Sequence, residues 1–414
     1  RRPSNHGKVH PMTTSETNPT TADATRGSGM TRGVRSGLES DTQFGAVVPP
    51  LHLSSNFTFA DFAEPRKYDY TRSGNPTRDL LGDALADLEG GAGGVVAATG
   101  LGAITIAVHA LLSPGGTVLL PHDCYGGTWR LFDSLGAKEH FTVISVDFTD
   151  EEAVAAALGA EQAPKVVWLE TPSNPLLRIT DVAKVAAAAK EVGALVVADN
   201  TFLSPVWQRP IELGCDVVVH STTKYLNGHS DVVGGAVVSA TAELHEQMAW
   251  WANVLGLTGS PFDSYQTLRG LRTLHVRLRQ HEENTAAVLE AIRGHRALAR
   301  VNHPALPEHP GHEIAARQQD GFGAMLSVEL SGGEPAVRAF LDGLRYFSLA
   351  ESLGGVESLV AHPATMTHAS MTAEARETAG IGEGLLRFSI GIEDPADLVA
   401  DLVAALDRAA DATT

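Results

Sequence analysis

Short uninterrupted apolar runs recur at 95–96, 118–120, 142–146, 166–169, 194–198 and 216–219, and each is separated from the next by a longer polar or Ala/Leu-rich stretch. A strand that is apolar at every position is buried on both faces, as happens in a parallel sheet covered by helices. The intervening segments 102–112, 151–158 and 181–192 carry apolar residues at helical spacing. Strand and helix alternating at this interval predict βαβ units and a mostly parallel sheet, an α/β fold whose strand ends deliver polar residues to one face.

At 414 residues the chain exceeds what one compact core usually serves. Near Leu271 the pattern changes to an amphipathic stretch in which Leu271, Leu274 and Leu278, then Val288 and Ile292, follow helical spacing. Alternating segments at 324–330 and 385–390 and a closing Ala/Leu/Asp helix follow. The expected organisation is an extension at 1–30, an arm at 31–83, a large domain at 84–272 and a smaller α+β domain at 273–414. The extension is rich in Ser, Thr, Asn, Pro and Gly and is expected to be disordered; with arginine first, Met12 and Met30 are alternative starts.

The formal charge of −18 argues against a nucleic-acid partner. Two cysteines, Cys124 and Cys215, are too few for a disulfide framework and suit a reducing compartment, hence an expected cytoplasmic location. No stretch is long and apolar enough to span a membrane, and no signal peptide opens the chain.

The chemistry concentrates at Lys224, within 216-DVVVHSTTKYLNGHS-230, and at Asp199 at the end of the preceding apolar run. A lysine amine that condenses with an aldehyde, and a carboxylate on a neighbouring strand end that keeps a pyridine nitrogen protonated, are what pyridoxal phosphate requires. Taken singly, such a lysine is a solvated loop residue and such an aspartate a turn former. Gly100 and Leu101 lead from a strand into a helix whose first amides suit a phosphate, to which Ser221 and Thr223 can add hydroxyls. Tyr125 follows another strand end, where its ring can stack on the pyridine and its phenol can move protons. Arg387 is a candidate for bidentate capture of an α-carboxylate; the alternative for it is an ordinary ion pair. His220 and His229 do not have the spacing of a helical zinc pair, and no metal is expected.

The string around Lys224 resembles the lysine signature of the cysteine/methionine-metabolism family of pyridoxal phosphate enzymes, the trans-sulfuration enzymes of fold type I. The resemblance runs from about Thr31 to Arg408. It includes 69-DYTRSGNPT-77, 170-ETPSNP-175, 349-LAESLGGVES-358 and 365-TMTH-368. It implies pyridoxal 5'-phosphate on Lys224, with Tyr70 and Arg72 reaching a neighbouring subunit's cofactor phosphate in a homotetramer built from two dimers. It also implies that Asn174, Glu351, Ser352 and Arg387 bind an amino-acid substrate. The implied reaction is γ-replacement on an O-acylhomoserine by cysteine. The alternatives are a γ-lyase or a sulfhydrylase of the same family and, more remotely, a non-catalytic cofactor-binding regulator. Ser73 stands where close relatives that use the succinyl ester commonly carry an arginine, which leaves Arg130 as the matching cation for a distal carboxylate.

Overall fold

A computed structural model describes residues 27–369 and 371–412. Seven strands, β1 (Gly93–Ala97), β2 (Thr117–Pro121), β3 (Thr142–Val146), β4 (Val166–Glu170), β5 (Leu195–Asp199), β6 (Val217–Ser221) and β7 (Gly235–Ser239), form one sheet in the order β1-β7-β6-β5-β4-β2-β3. Neighbours from β6 to β3 run parallel, and β7 is antiparallel to both β1 and β6. The six apolar runs therefore mark six strands of an α/β sheet. The seventh, β7, is fully buried and carries only Ala236-Val237-Val238 between a glycine and a serine.

Helices cover both faces: α1 (Gly29–Arg35), α2 (Pro76–Glu89), α3 (Gly100–Leu111), α4 (Gly126–Gly136), α5 (Glu151–Leu158) and α6 (Val182–Glu191) precede β6. Side chains of α3 pack with Val197, Val217, Val219 and Val237, while α2 packs with Val96, Val218 and Val238 on the other side. Residues of β5 and β6 thus alternate between two cores, as the period of two in a strand demands. Helix α2 also binds the sheet through a polar contact. Glu89 Oε1 lies 2.6 Å from His220 Nε2 and accepts from Asn200 Nδ2 at 2.9 Å, and all three residues are fully buried.

Two expected boundaries move. Residues 1–26 of the expected extension lie outside the described residues, but α1 begins at Gly29, inside it. Ser28 caps α1 and Arg32 Nε meets Asp87 of α2 at 2.8 Å, a tertiary partner that composition does not show. The arm expected to reach residue 83 ends at Asn75, whose side chain caps α2 by accepting from the amides of Thr77 and Arg78. Asn-Pro at the start of α2 is a helix-opening signal.

Five further strands, β8 (Leu298–Asn302), β9 (Met325–Leu330), β10 (Ser348–Leu349), β11 (Leu359–Ala361) and β12 (Leu385–Ser389), form a second sheet in the order β10-β11-β12-β9-β8. All its pairings are antiparallel except β10 with β11. The amphipathic stretch near Leu271 is two helices, Pro261–Leu271 and Leu274–Ile292. The second of these and the closing helix Pro395–Asp411 bury Val288, Ile292, Leu398, Leu402 and Leu406 in this sheet's own core.

Candidate active site

Parallel strands end together, so β4, β5 and β6 present Glu170, Asp199 and Ser221 at one edge, with Glu170 in register with Asp199 and Asp199 with Val219. A cleft of 390 Å³ opens there, closed on the far side by the loop before β11 and by Arg387 of β12. Lys224 enters it from the turn after β6, and its Nζ donates to Ser352 Oγ at 2.7 Å. Burial, with the charge of Arg387 as the next cause, lowers the pKa of the amine to about 8. The neutral, nucleophilic form is therefore accessible near neutral pH.

Ser352 sits at φ +82°, a conformation an L-residue adopts only when its surroundings impose it. Gly354 two residues on is also at positive φ (+76°), and a Cβ there would lie 2.7 Å from Tyr225 N. The loop therefore rests directly on the peptide that follows Lys224. Arg387 is 3% exposed; its Nη1 donates to Asn174 Oδ1 at 3.0 Å and its Nη2 to the Ser352 carbonyl at 2.9 Å. Its Nε is buried without a partner. Burial lowers its pKa to about 10, a value at which the guanidinium remains charged. No carboxylate lies within ion-pair range of it among the described residues, so the ordinary ion pair is not what this arginine forms.

Asp199 Oδ1 accepts from Thr201 N at 3.0 Å, and burial raises its pKa. Gly100 and Leu101 begin α3 in the cleft wall after the Thr99 cap, whose Oγ1 accepts from Gly102 N at 2.8 Å. A helix leaves its first amides without intrahelical partners. A Cβ on Gly100 would lie 2.7 Å from Ser221 Cβ, so only glycine allows this approach. Apposed amides, a hydroxyl and a glycine-sized gap fit a phosphate. Tyr125 lines the same cleft and is 44% exposed, and burial followed by the charge of Glu351 raises its phenol pKa.

Not every expected residue converges. Thr223 lines the cleft, and its hydroxyl donates to the Gly234 carbonyl at 3.3 Å and accepts from Gly234 N at 3.0 Å, which holds a loop beside the lysine. Tyr70 and Arg72 do not line the cleft. Arg72 Nη1 donates to the Asn253 carbonyl at 3.0 Å and to its Oδ1 at 2.7 Å, and Tyr70 is 49% exposed. Arg130, exposed on α4, acts electrostatically on Tyr125 without lining the cleft. Ser73 Oγ donates to Asp69 Oδ1 and to the Tyr70 carbonyl, both at 2.7 Å, and so closes a turn. Glu170 opens the stretch 170-ETPSNP-175, but nothing in that stretch assigns it a role. It is 7% exposed, and its carboxylate accepts from Tyr125 N at 2.8 Å and Asn174 N at 3.2 Å. Besides that stretch, its signal in the sequence is its place at the end of an apolar run, as Asp199 ends the next.

The chain is similar to known proteins in both sequence and fold. The family model of Cys/Met metabolism PLP-dependent enzymes matches residues 30–407. Cystathionine γ-synthase of Escherichia coli (strain K12) is 57% identical over 369 residues, 89% of this chain and 95% of that protein. The crystal structure of cystathionine γ-synthase from Xanthomonas oryzae pv. oryzae in complex with cystathionine superimposes with a TM-score of 0.92 at 64% identity, over 94% of this chain and 99% of that one. The cystathionine γ-lyase from Lactobacillus plantarum complexed with L-serine gives 0.88 at 38% identity, over 92% and 99%.

Proposed function

Since the chain belongs to the Cys/Met metabolism family of PLP-dependent enzymes, we propose that it is a cystathionine γ-synthase: it replaces the acyloxy group of an O-acylhomoserine with the sulfur of cysteine. The net change breaks the Cγ–O bond, forms a Cγ–S bond and releases the acyl group as a carboxylate. The observation that carries this reading is the convergence of Lys224, Asp199 and Arg387 on one cleft. Identity to the γ-synthases (57% and 64%) exceeds that to the γ-lyase (38%), which favours synthesis over cleavage.

When bound, pyridoxal phosphate supplies an electron sink that acidifies the C–H bonds at Cα and Cβ of an amino acid. The Lys224 amine would hold it and, as the base nearest the substrate, would move protons at those carbons. Asp199 would keep the ring nitrogen protonated, and the amides of Gly100 and Leu101 with Ser221 would hold the phosphate. Arg387 receives the α-carboxylate on the donors that Asn174 and Ser352 leave free, and the buried Nε shows that its hydrogen-bonding capacity is not filled within the chain. Tyr125 contributes its ring and phenol, and Glu351 lines the substrate side of the cleft. Fixing both reactants at one place supplies much of the rate by orientation.

Tyr70 and Arg72, exposed and outside the lining of their own cleft, serve the cleft of a second copy in a homotetramer with shared sites. Arg72→Ala and Lys224→Ala proteins, each nearly inactive, regain activity when their subunits are mixed and exchanged, because one hybrid site receives both native residues. Absence of recovery after demonstrated exchange contradicts sharing.

The preferred ester is O-succinylhomoserine, with Arg130 meeting its distal carboxylate. A charge-assisted contact of about 1.5–3 kcal/mol corresponds to roughly 10- to 150-fold over the acetyl ester. Arg130→Ala raises KM for the succinyl ester and leaves KM for the acetyl ester nearly unchanged. Equal effects on both esters contradict the assignment.

A further inference from the structure

Glu170 stands at the end of β4 in register with Asp199 on β5. Paired residues of neighbouring strands point to the same face and their strands lie about 4.8 Å apart. Two carboxylates therefore share the floor of the cleft. Glu170 has no cation in ion-pair range among the described residues; its only acceptor contacts are the amides of Tyr125 at 2.8 Å and Asn174 at 3.2 Å. Asn174 is itself buried, and its Oδ1 accepts from Arg387. One side chain thus fixes the backbone of the tyrosine that opens α4 and of the asparagine that orients the guanidinium. The charged and titratable groups around it are Asp199, Asp123, Cys124 and Tyr125, with Lys224 and His220 acting on Asp199 and Arg387 on Tyr125.

Burial, followed by the charge of Asp199, raises the pKa of Glu170 well above the usual carboxylate range, so its ionised form is favoured only when a charge of opposite sign arrives. With pyridoxal phosphate bound, that charge would be the ring nitrogen that Asp199 would keep protonated. We propose that Glu170 is a positioning residue with two effects: it clamps Tyr125 and Asn174, and it adds negative potential that favours the protonated form of the linkage between Lys224 and the cofactor. The inference rests on Lys224 carrying pyridoxal phosphate.

Two variants separate the effects. Glu170→Gln keeps the size and removes the charge, while Glu170→Asp keeps the charge and is too short to reach both amides. The readout is the pH at which the holoenzyme's visible absorbance titrates, recorded without substrate. Removing a negative charge disfavours the protonated state, so the midpoint falls, by about one pH unit, in Glu170→Gln. In Glu170→Asp the midpoint stays at the wild-type value while KM for the ester rises several-fold. A Gln variant that titrates as wild type overturns the electrostatic role, and an Asp variant with unchanged KM overturns the clamp. If the Gln variant fails to take up cofactor, the Asp variant decides: a displaced midpoint or an unchanged KM overturns the proposal. Wild-type protein that shows no visible band after incubation with pyridoxal phosphate points instead to failure of the Lys224 reading.

Discussion

Lys224→Ala lowers turnover by roughly four orders of magnitude, the upper end of what a positioned acid–base group contributes. The loss is this large because one amine both secures the cofactor and moves protons at two substrate carbons. The side chain is placed to do both. It is largely withdrawn from water, its pKa is lowered to about 8, and it is held by Ser352 Oγ at 2.7 Å in a loop strained to φ +82°. Borohydride reduction of the wild-type holoenzyme followed by peptide mapping places the pyridoxyl group on the peptide that contains Lys224. A label on another lysine, or a Lys224→Ala protein within tenfold of wild type, contradicts the assignment.

Asp199→Asn lowers turnover about a thousandfold, the scale of removing a preorganised electrostatic partner. Asparagine keeps an oxygen for Thr201 N, the contact Asp199 makes at 3.0 Å, so the local turn survives while the charge is lost. If Asp199 only shaped the turn, the substitution would cost at most about 1 kcal/mol of stability and leave kcat nearly intact. Thermal unfolding of the apoprotein and kcat of the holoenzyme, measured on the same preparation, distinguish the two roles.

What the chain sequence makes legible divides along a physical line. Continuous apolar runs mark strands buried on both faces, so β2, β4, β5 and β6 are readable from hydropathy alone. Residues at the ends of those strands inherit their positions from the sheet, which is why Asp199, Tyr125 and Lys224 fall on one cleft. Contacts that depend on packing are less visible. Nothing local in α1 announces that Arg32 will meet Asp87, nor at Glu89 that it will be buried against His220, 131 residues away. The role of Glu170 is hidden for the same reason on one side, since Asn174 is its neighbour in 170-ETPSNP-175 but Tyr125 lies 45 residues away. Thr223 shows what composition leaves out: beyond its place among three neighbouring hydroxyls, it also closes a backbone loop at Gly234.

The most direct test of the account compares two rates on one preparation of holoenzyme: formation of cystathionine from O-succinylhomoserine and cysteine, and cleavage of cystathionine with water to 2-oxobutyrate, ammonia and cysteine, each at physiological substrate concentrations. The account predicts that synthesis is the faster reaction and that Arg387→Ala slows both, since both substrates present an α-carboxylate. Faster cleavage, with cystathionine a minor product from the ester, contradicts the synthase reading and makes the enzyme a γ-lyase.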